Sequence, residues 1–155
     1  GPSRYLSVKN GLKQIPEDAL VAIHDGVRPL VSLETIGRCF HFAERFGNAI
    51  PVININDSVR TVDGPFSKII NRDELRLVQT PQVFYSSLIK KAYQETYKES
   101  FTDDASVLES IHERIYLVEG NQENIKITTP FDLELAQLYL NKASDKEDAY
   151  PQQSI

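Results

Sequence analysis

Four consecutive apolar residues, Leu20-Val21-Ala22-Ile23, run without alternation into His24-Asp25-Gly26. A short run that is apolar on both faces and closed by turn formers is the pattern of a central, buried strand. The next segment supplies a layer to cover it. Ser32 is placed to cap a helix in which Leu33, Ile36, Phe40 and Ala43 keep helical spacing until Gly47 stops it. A second apolar run, Val52 to Ile55, follows. Strand, helix, strand in this order implies a right-handed crossover and a parallel pair. The fold class read from these residues is α/β with a mainly parallel sheet.

The alternation then breaks. Ser58-Val59-Arg60-Thr61-Val62 and Lys68-Ile69-Ile70-Asn71-Arg72 flank the turn-rich Asp63-Gly64-Pro65-Phe66-Ser67, which predicts a projecting hairpin over 58–72. Its strands hold too few apolar residues to bury both faces, and a lone ribbon is marginal in water, so it needs something to lean on. A partner subunit is the natural support. Further strands are predicted at Leu77-Val78-Gln79, Arg114 to Glu119 and Asn124 to Thr128. Helices are predicted at Ser7 to Leu12, at Ser87 to Tyr97 and, shorter, after Thr102. The last helix is the best signalled: Thr129 caps it, Pro130 takes its first turn, Asp132 adds an acid, and Leu133, Ala136 and Leu140 line one face. From Ser144 to Ile155 polar residues replace the pattern, giving a domain over 1–143 and a polar tail over 144–155.

With 155 residues, 41% hydrophobic and 25% charged, the chain has the balance of one globular domain. No apolar run approaches the roughly 20 residues of a membrane-spanning helix. Acids outnumber bases by 22 to 17 and the bases are scattered, so no positive stripe is offered to a nucleic acid. The single Cys39 cannot form an internal disulfide and reads as a buried thiol of a reducing, cytoplasmic compartment. With no methionine, the chain reads as a fragment or a trimmed product.

In open α/β sheets ligands sit beyond the carboxyl ends of the strands, so the polar residues after each apolar run are the places to look. His24-Asp25-Gly26-Val27-Arg28-Pro29 sets an acid and a guanidinium three residues apart in a turn. Spacing alone leaves two readings: Asp25 holds a hydroxyl or metal and Arg28 a phosphate, or the two form a turn-shaping ion pair. Asp57-Ser58 with Arg60, and Arg72 across the hairpin, read on spacing as soluble edge guards. In Phe101-Thr102-Asp103-Asp104-Ala105-Ser106 a threonine cap followed by two acids suits a helix start without any ligand. Lys126, alternating with Ile125 and Ile127, is an edge cation or a phosphate ligand. His24, His41 and His112 lack metal-type spacing.

Taken in order, His24-Asp25-Gly26-Val27-Arg28-Pro29, Leu77-Val78-Gln79-Thr80-Pro81-Gln82-Val83-Phe84, Thr102-Asp103-Asp104-Ala105-Ser106-Val107 and Asn124-Ile125-Lys126 before Thr129-Pro130 resemble the 2-C-methyl-D-erythritol 4-phosphate cytidylyltransferases. The resemblance runs from Arg4-Tyr5-Leu6-Ser7-Val8 to the final helix. It implies a Rossmann-like nucleotidyltransferase fold and a cytoplasmic, homodimeric, magnesium-dependent transferase of non-mevalonate isoprenoid biosynthesis. The reaction it implies joins CTP to 2-C-methyl-D-erythritol 4-phosphate and releases pyrophosphate. By the same resemblance Gly1, Ser7 and Gly26 hold the cytidine end. Asp25, Arg28, Ser58, Thr102 and Lys126 hold the methylerythritol phosphate, and Arg72 enters from the partner's hairpin; Lys126, Arg72 and Asp25 take the catalytic roles. No protein residue is assigned to the Mg2+, which travels with the CTP phosphates. Family members begin with a strand and a glycine-rich loop that cradle the triphosphate. That part is absent here, so this chain alone is expected to be inactive. The rival readings are a ribitol-5-phosphate cytidylyltransferase and a non-catalytic, dimerising sugar-phosphate-binding module.

Overall fold

The computed structural model describes residues 2–148. Gly1 and the stretch of the expected tail past Asp148 lie outside them. Helix α1 (Arg4–Leu12) starts ahead of the predicted Ser7, because the Ser3 side chain accepts the Leu6 backbone N–H and caps it. Strand β1 (Leu20–Ile23) and helix α2 (Leu33–Phe46) follow. Both α2 caps match the reading: Ser32 Oγ accepts from Thr35 N at 3.1 Å, and Gly47 closes the helix at φ 92°, a left-handed conformation that favours glycine. Buried Cys39 and Ala43 of α2 pack with Ala49, Val83 and Val118. Burial pushes the Cys39 thiol up to about 11, so it is an unreactive packing group at neutral pH.

The sheet departs from the expected parallel pair. Strand β2 (Asn48–Asn54) is its centre, flanked by β5 (Arg76–Val78), β6 (Gln82–Tyr85) and β7 (Leu117–Glu119). β6 runs antiparallel to both β1 and β2, and so separates them. β5 is also antiparallel to β2, and β2–β7 is the one parallel ladder among the described residues. The α/β class stands, with a mixed sheet in which β1, β2 and β7 share a direction. Leu20–Ile23, read as a central strand, is not one: the centre is β2, while β1 pairs with β6 alone among the described residues and its Ala22 is exposed. β5 and β6 follow the same edge of β2, one ladder at Val52–Asn54 and the other at Asn48–Ala49, and Gln79-Thr80-Pro81 lies at the break between them. That break is where the site forms.

The β3 (Val59–Asp63) and β4 (Phe66–Ile70) strands make the expected hairpin, a two-stranded sheet of its own. Its Val62, Phe66 and Ile69 are 79%, 75% and 71% exposed. Arg72 lies beyond the ribbon, in a single 3-10 turn (Arg72–Glu74). Helix α3 is Ser86–Ala92, ending short of Tyr97, and α4 is Asp104–Glu109. Asp103, not Thr102, caps α4, accepting from Ser106 N while the Ser106 hydroxyl answers the Asp103 N–H. The stretch Asn124 to Thr128 is not a strand. Its backbone is tied instead to another loop, Ile127 N donating to Val27 O at 2.8 Å. Helix α5 (Pro130–Asp148) begins as read, with Asp132 Oδ2 accepting the Thr129 N–H at 2.8 Å, and its helix passes the expected boundary at Ser144. The larger core joins Leu12, Ile50, Phe84, Ile89, Tyr93, Val107 and Leu108 under α1, α3 and α4.

Candidate active site

Asp25 leaves the carboxyl end of β1 into a tightly stitched turn. Arg28 N donates to Asp25 O at 3.0 Å, and Asp25 N donates to Thr80 Oγ1 at 3.0 Å. Thr80 Oγ1 also meets His24 Nδ1 at 2.9 Å, while His24 Nε2 reaches Arg28 O at 2.8 Å. The histidine is thus a turn brace, consistent with its lack of metal-type spacing. Thr80 stands at the break between β5 and β6, so the interrupted strand is what carries its hydroxyl to the end of β1.

Three cations converge on the Asp25 carboxylate. Arg4 Nε lies 3.2 Å from Oδ1, and Oδ2 takes Lys126 Nζ at 3.3 Å and Arg28 Nε at 3.4 Å. Burial alone would raise the Asp25 pKa; Lys126 and then Arg4 overcome it and hold the group below the ordinary carboxylate value. The turn-shaping Asp25–Arg28 pair posed by the sequence is present, and the same carboxylate lines a cavity. Arg28 Nη1 donates to the Asn124 carbonyl at 2.8 Å, and the buried Asn124 amide donates to Thr80 O at 2.8 Å. These bonds and the Ile127–Val27 bond fix the irregular segment that presents Lys126, which is half exposed.

A cavity of about 290 Å³ opens over this cluster, lined by Asp25, Arg28, Lys126, Thr102, Arg4 and Thr80 among others. The wall carrying Thr102 is held by Gln82 at the start of β6. Its Nε2 donates to Asp103 Oδ2 at 2.8 Å and its Oε1 accepts from Ala105 N at 2.9 Å, although Gln82 is wholly buried. On the far side of β2, glycine is needed at position 120, where a Cβ would fall 2.3 Å from Gln79 Oε1, and Gln79 is another residue of the cavity wall.

Of the residues singled out in the sequence, Asp25, Arg28, Thr102 and Lys126 come together here. Gly26 is exposed next to Asp25, and Ser7 lies on the exposed side of α1, its hydroxyl donating to Ser3 O at 3.0 Å. Ser58 and Arg72 are not among the lining residues. Arg72 borders a separate cleft with Asn54, Ile55, Asn56, Asp73 and Arg76, and donates to the Asn56 carbonyl. Sequence reasoning assigned no site role to Arg4, Thr80 or Gln82, and read Asp104 only as an acid at a helix start. Thr80-Pro81 interrupting an apolar segment was the available signal for Thr80; Arg4 left none, being a single base ahead of the predicted helix start at Ser7.

The fold and this cavity define an α/β domain whose cationic pocket, at strand ends, suits a small anionic ligand. A sequence model of one family, IspD: 2-C-methyl-D-erythritol 4-phosphate cytidylyltransferase, matches residues 1–142, and the chain belongs to that family. It is 49% identical over 140 residues to the 2-C-methyl-D-erythritol 4-phosphate cytidylyltransferase of Phocaeicola vulgatus, covering 90% of this chain and 64% of that protein. Against the Bacteroides fragilis protein of the same name the identity is 51% over 140 residues, with the same coverage. The crystal structure of the Thermus thermophilus enzyme of that name superposes with a TM-score of 0.81 at 34% identity, covering 91% of this chain and 71% of that one. The chain thus spans 64% of the length of these curated relatives.

Proposed function

We propose that this chain supplies the acceptor side of a CTP:2-C-methyl-D-erythritol 4-phosphate cytidylyltransferase acting in isoprenoid biosynthesis. The observation that carries the proposal is the convergence of Arg28 and Lys126 on one cavity around the Asp25 carboxylate. In the reaction a phosphate oxygen of the acceptor attacks the α-phosphorus of CTP, a P–O bond forms, the bond to the β-phosphate bridge breaks, and pyrophosphate leaves. Two anions must approach, so catalysis is chiefly positioning and charge neutralisation. Lys126 and Arg28 offset the charge of the incoming phosphate. Asp25, held as a carboxylate, accepts a hydrogen bond from an acceptor hydroxyl, and Thr102 adds a second hydroxyl contact on the opposite wall. Ser7 and Gly26 face the cytidine.

Magnesium is implied by the family, but the pocket's acids do not fit it as ligands. Asp25 is already bound by three cations and Asp103 is committed to capping α4. The ion would travel on the nucleotide phosphates, and no step is assigned to it.

The unit is a homodimer in this proposal, with the exposed apolar residues of the β3–β4 arm covered by the second copy and Arg72 entering that copy's cavity. The placement of Arg72 outside the Asp25 cavity of its own chain supports this. The unpaired, buried Cys39 fits a cytoplasmic setting.

The test is pyrophosphate release from this chain and from the same chain joined to the segment of its relatives that it does not cover. The joined protein releases pyrophosphate only with both CTP and 2-C-methyl-D-erythritol 4-phosphate, and the chain alone releases none. An equal rate with ribitol 5-phosphate would move the assignment to the sister enzyme.

A further inference from the structure

Asp104 is a wholly buried carboxylate, and a buried anion is tolerated only when paired and hydrogen-bonded. It has two strong partners. The Tyr93 hydroxyl donates to Oδ1 at 2.5 Å, and Arg4 Nη2 donates to Oδ2 at 2.6 Å. The same guanidinium, through Nε, holds Asp25 Oδ1 at 3.2 Å. One planar group therefore spans two carboxylates from distant parts of the chain, 21 and 100 residues away. Four elements meet in this chain of contacts: Arg4 opens α1, Tyr93 ends α3, Asp104 opens α4, and Asp25 follows β1. Tyr93 is braced in turn by Tyr5 of α1, their rings stacked at 4.8 Å.

We infer that Arg4, anchored by Asp104 and Tyr93, is a positioning residue that fixes the Asp25 carboxylate and the width of the cavity. By taking Oδ1, Arg4 leaves Oδ2 directed at Arg28 and Lys126. By tying Asp104 to the same guanidinium, it links Asp25 to the segment that carries Thr102, another residue of the cavity lining, and so sets the distance between the two. The electrostatics agree with the geometry. Burial opposes the Arg4 charge, yet Asp104 and Asp25 together raise its pKa above the ordinary value, and burial with Asp104 beside it raises that of Tyr93. Both groups thus keep their protons, and the bridge persists, across the working pH range. The inference rests on the proposed function only for its activity readout.

A lysine at position 4 separates bridge from charge. An ammonium is a point charge without the fork that lets a guanidinium hold two carboxylates in fixed directions. In the joined protein described above, Arg4→Lys and Arg4→Gln both lower kcat about 10- to 100-fold, the scale of a misplaced reacting group, with KM for the acceptor changed less than about twofold. Tyr93→Phe, which removes an anchor without touching the cavity's charges, gives a smaller loss in the same parameter. A second readout needs no turnover. In carbon-13 carboxylate spectra, Asp25, which is faced by Arg4, Arg28 and Lys126, titrates higher in Arg4→Gln and also in Tyr93→Phe than in the parent, moving toward the ordinary value of about 3.9. If Arg4→Lys restores kcat to within twofold, Arg4 is only a charge and the positioning role is wrong. If both variants lose activity in proportion to melting temperature while the Asp25 titration stays put, the network is structural alone. An unsubstituted protein without activity counts against the cytidylyltransferase reading, and the Asp25 titration then decides the role of Arg4 by itself.

Discussion

The Asp25 cavity and the β3–β4 arm depart from ordinary side-chain placement in opposite directions. The cavity keeps charge inside: Asp104 has no exposure, and Asp25 and Arg28 have 13% each. The arm keeps apolar surface outside, with Val62, Phe66 and Ile69 all more than 70% exposed. In the cavity each of these buried charges has a partner, so the cost of desolvation is offset within the chain. In the arm nothing among the described residues does the same, and a two-stranded ribbon with such residues in water is marginal. One region has its buried charges paired within the chain. The other leaves large apolar side chains exposed, which is the observation behind the proposed dimer.

Substitution at the cavity gives the largest expected effect. Lys126→Ala in the joined protein lowers kcat/KM about 100- to 1,000-fold, as loss of one preorganised charge does. Because Lys126 is half exposed, the melting temperature moves by no more than about 2 °C. Pyrophosphate kinetics beside a thermal melt check this, and a large loss of stability would make Lys126 part of the scaffold.

The two regions are tested together by re-pairing. Arg72→Ala and Lys126→Ala homodimers are each nearly inactive, and mixing them restores up to about one working site per heterodimer if Arg72 acts in the partner's cavity. With re-pairing verified by native mass spectrometry, no recovery would break the link between arm and cavity.

A smaller effect is expected from the arm's apolar face. Phe66→Ser with Ile69→Ser raises the dimer dissociation constant about 30-fold or more, read by analytical ultracentrifugation. Unfolding of the dissociated chain changes by no more than about 0.5 kcal/mol per site, because both side chains are more than 70% exposed within it. A chain destabilised by several times that amount would show that the arm packs on its own core.

The smallest effect lies at the start of α5, outside both regions, and provides a baseline for acid sensitivity. The Thr128 N–H, the Thr129 hydroxyl and the Thr129 N–H hold Asp132 down at about 2. A carboxylate with a lowered folded pKa contributes stability above its unfolded value, near about 3.9, and loses it as pH falls through the folded one. The difference in urea midpoint between the parent and Asp132→Asn is therefore present at about pH 5 and falls away as the pH passes below about 2. Protonation of the Asp25 cluster is common to both proteins and cancels. A difference that persists at the lowest pH would rule out the hydrogen-bonded carboxylate as its source.

How much was legible follows the range of each interaction. The α2 caps at Ser32 and Gly47 and the α5 start at Thr129-Pro130 are set by residues within one turn of each other, and the structure has them where they were read; the arm's turn, read over Asp63 to Ser67, lies within that span and narrows to Gly64-Pro65. β6 was missed because Pro81 and Gln82 look like loop chemistry, whereas Gln82 is buried and pinned to the start of α4. Lys126 was read on a strand because Ile125 and Ile127 alternate with it. The structure shows an irregular segment held through Ile127 N, Arg28 and Asn124.

Taken alone, the sequence determined the class of fold, the family, and four of the residues that face one another across the cavity: Asp25, Arg28, Thr102 and Lys126. These were reachable because strand ends and helix starts are local signals and because ordered motifs survive without knowledge of pairing. The tertiary structure decided that β6 separates β1 from β2, that Arg72 lies away from its own chain's cavity, and that Arg4 bridges Asp25 and Asp104. A guanidinium's partners are chosen by which elements pack together, and packing brings residues 100 positions apart within hydrogen-bond reach, a distance over which no periodicity or spacing carries information.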